Sequence, residues 1–251
     1  MEHGITVYKT SDVNSSEMVD IVDSLRLDAM VVIAFGQKLQ AAIIGDRFAI
    51  NLHGSLLPRW RGAAPINAAI LHGDELAGVS VITLAQRMDA GLILGQLSTH
   101  ISDSETAGEL HDRLAILGPN LVNEVLTADG SGDIQDESLV TYAPKLTRRD
   151  AKLDLSLDAD SVARTIRGYS PWPGCHIMIG GIDCKLLRAI TKHNMEKHGE
   201  IGEILTDGSM AVGIGSIEIM ELQPAGGRPM TWKEFCNGRS VKAGDMCEVR
   251  S

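Results

Sequence analysis

No two cysteines of this 251-residue chain have C-x-x-C spacing, so Cys175, Cys184, Cys236 and Cys247 point to neither a zinc site nor a redox motif. They read as free thiols of a reducing compartment, and a cytoplasmic location is expected. No apolar run approaches the roughly 20 residues that cross a bilayer, so no membrane role is expected. Met1-Glu2-His3-Gly4 carries neither a basic flank nor an apolar stretch, and no secretory leader is read there. There is no G-x-x-x-x-G-K-[ST] phosphate loop and no metal-spaced histidine pair, so no metal is expected; His193 and His198 sit in a polar stretch and read as solvated. Internal repeats and low-complexity tracts are also missing. A net charge of −10 argues against a protein that coats itself in nucleic acid, while leaving room for a local basic face.

What is present is enough for a core: 44% hydrophobic and 22% charged residues are ordinary globular values. The first half alternates in type. Gly4-Ile5-Thr6-Val7-Tyr8 reads as a short strand, and Asn14-Ser15-Ser16 caps a helix carrying Met18, Ile21, Val22 and Leu25. Met30-Val31-Val32-Ile33-Ala34-Phe35 reads as a buried parallel strand, followed by a short helical stretch over 39–44. Phe48-Ala49-Ile50-Asn51-Leu52-His53 and Val79-Ser80-Val81-Ile82-Thr83-Leu84 read as further strands. Thr106-Ala107-Gly108-Glu109 is a capping box that opens a helix carrying Leu110, Leu114, Leu117 and Leu121. The alternation predicts a doubly wound, mostly parallel, Rossmann-like α/β sheet over residues 1–132.

At Thr127-Ala128-Asp129-Gly130-Ser131-Gly132-Asp133 the text turns polar and glycine-rich, and a linker is expected over 133–151. Beyond it, residues 161–168 read as a helix. The runs Cys175-His176-Ile177-Met178-Ile179, Cys184-Lys185-Leu186-Leu187, Glu203-Ile204-Leu205, Met210-Ala211-Val212 and Ser216-Ile217-Glu218-Ile219-Met220 read as short strands. Residues 152–251 are therefore expected to form a small OB-like β-barrel.

Asn51 and His53 lie two apart on one strand, so both side chains face one side at its carboxyl end, where open α/β sheets bind ligands. Buried polar groups need partners, and N-x-H alone is also what a capped strand end with a satisfied histidine looks like. The surrounding text is more informative. His53-Gly54-Ser55-Leu56-Leu57-Pro58-Arg59-Trp60-Arg61-Gly62-Ala63-Ala64-Pro65-Ile66, then Gly78-Val79-Ser80-Val81 leading to Met88-Asp89-Ala90-Gly91, resemble the folate-dependent formyltransferases. Thr141-Tyr142-Ala143-Pro144-Lys145-Leu146, Tyr169-Ser170-Pro171-Trp172-Pro173-Gly174, Gln223-Pro224-Ala225-Gly226 and Arg228-Pro229-Met230 resemble the tRNA branch of that family, and the resemblance runs to about Gly238.

This resemblance implies an enzyme that transfers the formyl group of 10-formyltetrahydrofolate, a co-substrate, to the amino group of initiator methionyl-tRNA in translation initiation. It implies that Asn51 and His53 donate hydrogen bonds to the tetrahedral oxyanion, and that Asp89 orients His53 and helps remove the amine proton. It places the folate against Phe35, Gly36, Gln37 and Leu39, against Arg87 and Met88, and against Ser55, Leu56, Leu57 and Pro58; plain core packing is an equal reading for Leu56, Leu57 and Met88. For tRNA it points to Arg59, Arg61, Lys145, Arg148, Arg149, Arg167, Lys185 and Arg188, within a basic stretch that also holds Lys152, Arg164, Lys192 and Lys197 and is diluted by Asp150, Asp154, Asp158 and Asp160. Gln40 and Ala85-Gln86-Arg87-Met88 depart from the family pattern and bear on the folate pocket. Members also begin with a strand, helix and strand, and carry a basic loop, ahead of the text seen here, so the chain is expected to be a fragment lacking roughly the first fifth, and a monomer. Sugar-nucleotide formyltransferases share N-x-H-x-S-L-L-P, and a binding protein without turnover is a further alternative.

Overall fold

The structure is a computed structural model describing residues 4–192 and 199–249. His193, Lys197 and His198 lie outside the described residues. Two hydrophobic cores divide the chain. The first is built around Ile50, Val79, Val81, Leu110, Leu114 and Leu121. The second is built around Ile166, Ile177, Leu186, Met210, Ile217 and Phe235.

The first body opens with α1 (Ser16–Ser24), whose N-cap Ser15 accepts from the Met18 N–H. Then follow β1 (Ala29–Ile33), α2 (Ala41–Ile44), β2 (Phe48–His53), the two-residue β3 (Arg61–Gly62) and α3 (Pro65–Leu71). Next come β4 (Leu76–Thr83), β5 (Ile93–His100) and α4 (Ala107–Thr127), which begins at the predicted Thr106/Glu109 capping box. The sheet order is β1-β2-β4-β5, and α4 covers the face that carries Ile50 and Leu52. At Gly118 a Cβ would lie 2.5 Å from the Leu52 side chain, so helix and strand are at their closest there.

The α/β layering is as expected, but the sheet is mixed. β1 and β2 pair in parallel, whereas β2–β4 and β4–β5 are antiparallel. β4 runs back along β2, Ser80 opposite His53 and Thr83 opposite Ile50. The strand expected over residues 4–8 does not form. Residues 4–10 are irregular and exposed, since β-branched composition makes a strand only where a neighbour accepts its hydrogen bonds. β1 is an edge strand, with Val31, Ile33 and nearby Phe35 exposed.

The stretch expected as linker is half structure. Asp133 and Ile93 exchange both backbone hydrogen bonds, a 3-10 turn covers Glu137–Leu139, and β6 (Tyr142–Ala143) pairs in parallel with β3. Ala143 belongs to the first core and Ala151 to the second, so the junction is shorter than 133–151.

The second body holds α5 (Ala159–Gly168), β7 (Cys175–Ile179), β8 (Ile182–Lys192), β9 (Met210–Ala211) and β10 (Ser216–Pro224). It closes with β11 (Met230–Thr231), α6 (Trp232–Arg239) and β12 (Cys247–Val249). Its antiparallel sheet runs β11-β10-β8-β7-β12, with β9 on β10, and bends at a register shift between Ile219 and Glu221 into a barrel-like form. Among the described residues, the run 203–205 forms single bridges to Met246 and Met210 in place of a named strand.

The two bodies meet through α3 and α5. Asn67 donates to the Gly168 carbonyl, and a Cβ on Gly168 would lie 2.6 Å from Leu71. The Gly108 N–H donates to the Ser170 carbonyl nearby.

Candidate active site

β2 delivers Asn51 and His53 to the face not covered by α4. His53 is buried, and its Nε2–H donates to the Trp60 carbonyl at 2.9 Å. With that proton engaged, Nδ1 is the ring nitrogen left to work, and it lies 3.7 Å from Asp89 Oδ2. That is too long for a direct hydrogen bond, yet two atoms so spaced can both reach a third at about 2.8 Å. Asn51 is half-buried, and among the described residues no side-chain hydrogen bond engages its amide.

Asp89 is held with care. Its φ is +55°, a left-handed conformation uncommon outside glycine that accumulates at functional sites. Its carboxylate accepts from the Gly62 N–H at 2.8 Å. Gly62 itself has φ +120°, and a Cβ there would sit 2.5 Å from the Ala143 carbonyl oxygen. The turn's far side is closed by Gly91, where a Cβ would lie 1.7 Å from the Thr83 carbonyl.

The loop after His53 is stiffened by Ser80, a fully buried serine in an otherwise apolar strand. Its hydroxyl donates to the Ser55 carbonyl at 2.6 Å and accepts from the Leu57 N–H and the Gln96 amide, at 3.1 and 2.7 Å. One donor and two acceptor sites are thus all used. Gln96 also donates to the Leu57 carbonyl, and Ser55 Oγ donates to the Arg59 carbonyl. These bonds involve two residues of the expected folate set. Ser55 and Leu57 are buried, with Leu57's backbone and Ser55's hydroxyl already occupied, so both act in shaping the turn. Leu56 packs on Gly78.

The remaining expected folate residues line two loops that approach one another. Lys38 Nζ donates to the Gln86 carbonyl across the gap, and Gln37 accepts from the Val13 N–H. Phe35 and Met88 are exposed here, Met88 at 71%; Gly36 is open, while Leu39 and Pro58 are half-buried. Arg87 pairs with Glu137 at 2.9 Å.

The basic residues sort into two groups. Arg61 is 1% exposed and cannot meet a phosphate: its guanidinium donates to Gln135 Oε1 and to Glu137. Bonds from Arg61 and Arg87 hold the Glu137 carboxyl below its usual range. Arg167 is likewise buried, donating to the Glu105 carbonyl where the bodies meet, and burial lowers its pKa. Arg188 donates to the Ser104 carbonyl and pairs with Glu109, so it ties the bodies together. Arg59 stays half-exposed, stacked over Trp60 and bonded to Asp74. Lys145, Arg148 and Arg149 are exposed. Arg148, Arg149, Lys152, His176 and Lys185 line an open groove of about 740 Å³ with Trp172 on its wall.

Sequence reasoning passed over Ser80, Gln96, Gln135, Glu137 and Thr141, whose Oγ accepts from the Trp60 N–H. A lone serine inside Val79-Ser80-Val81-Ile82 was a usable signal, because a buried hydroxyl demands partners. Among the described residues no group of three or more His, Cys, Asp or Glu could hold a metal ion. No helix there is long and apolar enough to cross a membrane.

A strand-end amide and imidazole facing a turn-borne carboxylate define a class, and sequence comparison agrees: the chain belongs to the formyl transferase family. The formyl transferase profile matches residues 2–126, and its C-terminal domain profile matches residues 145–240. Within the family, the chain is 39% identical over 246 residues to a methionyl-tRNA formyltransferase of Pseudomonas paraeruginosa, covering 95% of this chain and 79% of that one. Among solved structures it resembles the methionyl-tRNA formyltransferase of Clostridium thermocellum, with TM-score 0.59, 17% identity, and 75% and 82% of the two chains covered. It also resembles HypX from Aquifex aeolicus in complex with tetrahydrofolic acid, with TM-score 0.66, 15% identity, and 90% and 41% covered.

Proposed function

We propose that this chain transfers the formyl group of 10-formyltetrahydrofolate to the amino group of initiator methionyl-tRNA. The observation that carries the chemistry is His53 Nδ1 and Asp89 Oδ2 at 3.7 Å, with the Asn51 amide on the same strand engaged by no side-chain hydrogen bond among the described residues. The neutral amine attacks the formyl carbon, and the carbonyl oxygen becomes an oxyanion. Asn51 donates to that oxygen, and His53, whose Nε2–H is committed to Trp60, donates from Nδ1 when it carries both ring protons. Asp89 accepts the proton shed by the amine and returns it to the folate nitrogen, which leaves as the intermediate collapses and the carbonyl re-forms. A donor aimed at such an oxyanion contributes roughly 3–4 kcal/mol to the transition state. No step calls for a metal.

The folate ring is assigned to the space between the 35–39 and 84–88 loops and Pro58. Lys145, Arg59 and the groove of Arg148, Arg149, Lys152 and Lys185, with Trp172 on its wall, are assigned to tRNA. The wall of exposed cations explains how a protein of net charge −10 can hold a polyanion. The reading implies a cytoplasmic enzyme, and we assign it as a monomer.

The test is formyl transfer from labelled 10-formyltetrahydrofolate to charged initiator tRNA, with an amino-sugar nucleotide as competing acceptor. Transfer to tRNA alone is expected, and Asn51→Ala should lower kcat about 10²–10³-fold. Preference for the sugar nucleotide, or folate binding without turnover, would reassign the protein.

A further inference from the structure

We propose that Gln135 is a positioning residue for Asp89, acting from the segment that joins the two bodies. The inference rests on the catalytic reading of Asp89 given above, and it assigns a role to a side chain that touches no substrate.

Gln135 is buried, and its amide has both ends engaged. Nε2 donates to the Asp89 carbonyl at 2.7 Å and to the Gly91 carbonyl at 2.8 Å. Oε1 accepts from Arg61 Nη2 at 2.7 Å and Nε at 3.1 Å. Only one orientation of the amide fits, because the carbonyls can only accept and the guanidinium can only donate.

The two ends meet on one bond. Asp89's carboxylate is held by the Gly62 N–H, and Gly62 is the neighbour of Arg61. Gln135 thus fixes the backbone that bears the carboxylate and, through Arg61, the backbone that binds it. Asp89 needs such support, since its left-handed φ of +55° persists only where surroundings over-determine it. The surroundings are themselves anchored: Asp133 pairs with Ile93 before Gln135, and Thr141 and Ala143 accept from the Arg61, Ala63 and Ala64 amides after it.

Gln135→Met keeps the bulk and removes all four bonds. Gln135→Glu keeps the acceptor for Arg61 and sets an oxygen against two carbonyl oxygens. Either displaces the carboxylate by a fraction of an ångström to about 1 Å, and a misplacement of that size costs up to roughly 10²-fold in rate. We expect kcat to fall about 10- to 100-fold with both KM values within about twofold. The drop should vanish in an Asp89→Asn background, because the two substitutions then act through the same group.

An activity-independent measurement runs beside this. In ¹⁵N-histidine NMR spectra the His53 Nδ1 resonance should move in Gln135→Met in the direction it moves in Asp89→Asn. Should Gln135→Met not fold, Gln135→Glu is carried through the same measurements. A role in stability alone lowers the melting temperature and leaves the His53 resonance and kcat per folded molecule unmoved; that result, or equal kcat losses in both backgrounds, overturns the proposal. If the unmodified chain transfers no formyl group, the functional reading fails, while the His53 resonance still decides what positions Asp89.

Discussion

Replacing Gly62 by alanine is a severe test of how the carboxylate is placed. The new Cβ would stand 2.5 Å from the Ala143 oxygen, where ordinary contact begins at 3.4 Å, so the strands β3 and β6 must separate by about 0.9 Å. Ala143 O cannot retreat freely, because it also accepts from Ala63 N at 2.8 Å. The alternative is rotation away from φ +120°, where L side chains cost about 1–3 kcal/mol, and rotation turns the N–H off Asp89. Either way Asp89 loses its fixed donor. A displacement near 1 Å at a reacting group corresponds to roughly 10² in rate, or about 2.7 kcal/mol of barrier. The assay is single-turnover formylation at saturating folate and tRNA, alongside a thermal melt. We expect kcat down about 100-fold, KM for tRNA little changed, and a folded protein of lower Tm. A Gly62→Ala enzyme within twofold of the parent kcat would refute the claim that the Gly62 N–H places the carboxylate.

Further outcomes follow from other parts of the structure. Ser80→Ala leaves buried groups of Ser55, Leu57 and Gln96 short of a partner, and should cost about 1–3 kcal/mol in urea unfolding; no loss would mean that water replaces the hydroxyl. Arg148→Ala and Arg149→Ala should each flatten the salt dependence of tRNA binding by about 0.7–0.9 in log–log slope, whereas Arg188→Ala should leave the slope alone and loosen the contact between the bodies. Burial pushes the Cys175 and Cys247 thiols up to about 12 and Cys184 up to about 11, from 9.0. Their folded values lie above the unfolded one, so the stability they contribute is complete below pH 9 and is lost as pH climbs toward 11–12. Tm should therefore decline above pH 9, and native alkylation at pH 8 should be slow at these three positions; rapid labelling would contradict the burial.

The sequence exposed the chemistry more readily than its supports. Asn51, His53 and Asp89 were singled out by the resemblance of the text around them, since N-x-H alone also reads as a capped strand end and D-A-G as a turn. β2, α1 and the Thr106 cap were legible because periodicity and capping are local properties. What stayed hidden is what depends on contact between distant segments. Arg61 reads as a surface cation until Gln135 and Glu137, 74 and 76 residues on, are seen to enclose it. Arg167 and Arg188 look like part of a basic face, yet a neighbouring body covers them. The direction of β4 is set by its antiparallel pairing with β2 and β5, which composition does not announce. β5 escaped because Gly95, Gln96, Ser98 and Thr99 blur its alternation at the sheet edge.

The return of residues 133–143 onto the 61–63 and 87–91 loops bears on how this molecule can be divided. A chain cut at the glycine-rich stretch near 130 would keep every reacting side chain yet leave the carboxylate without its brace and Ala143 missing from the core. The workable seam lies between 143 and 151, where neither core has a claim. Grafting a relative's C-terminal half onto this N-terminal half should therefore succeed at that seam and fail a dozen residues upstream, although the upstream site looks the more pliable to anyone reading letters alone.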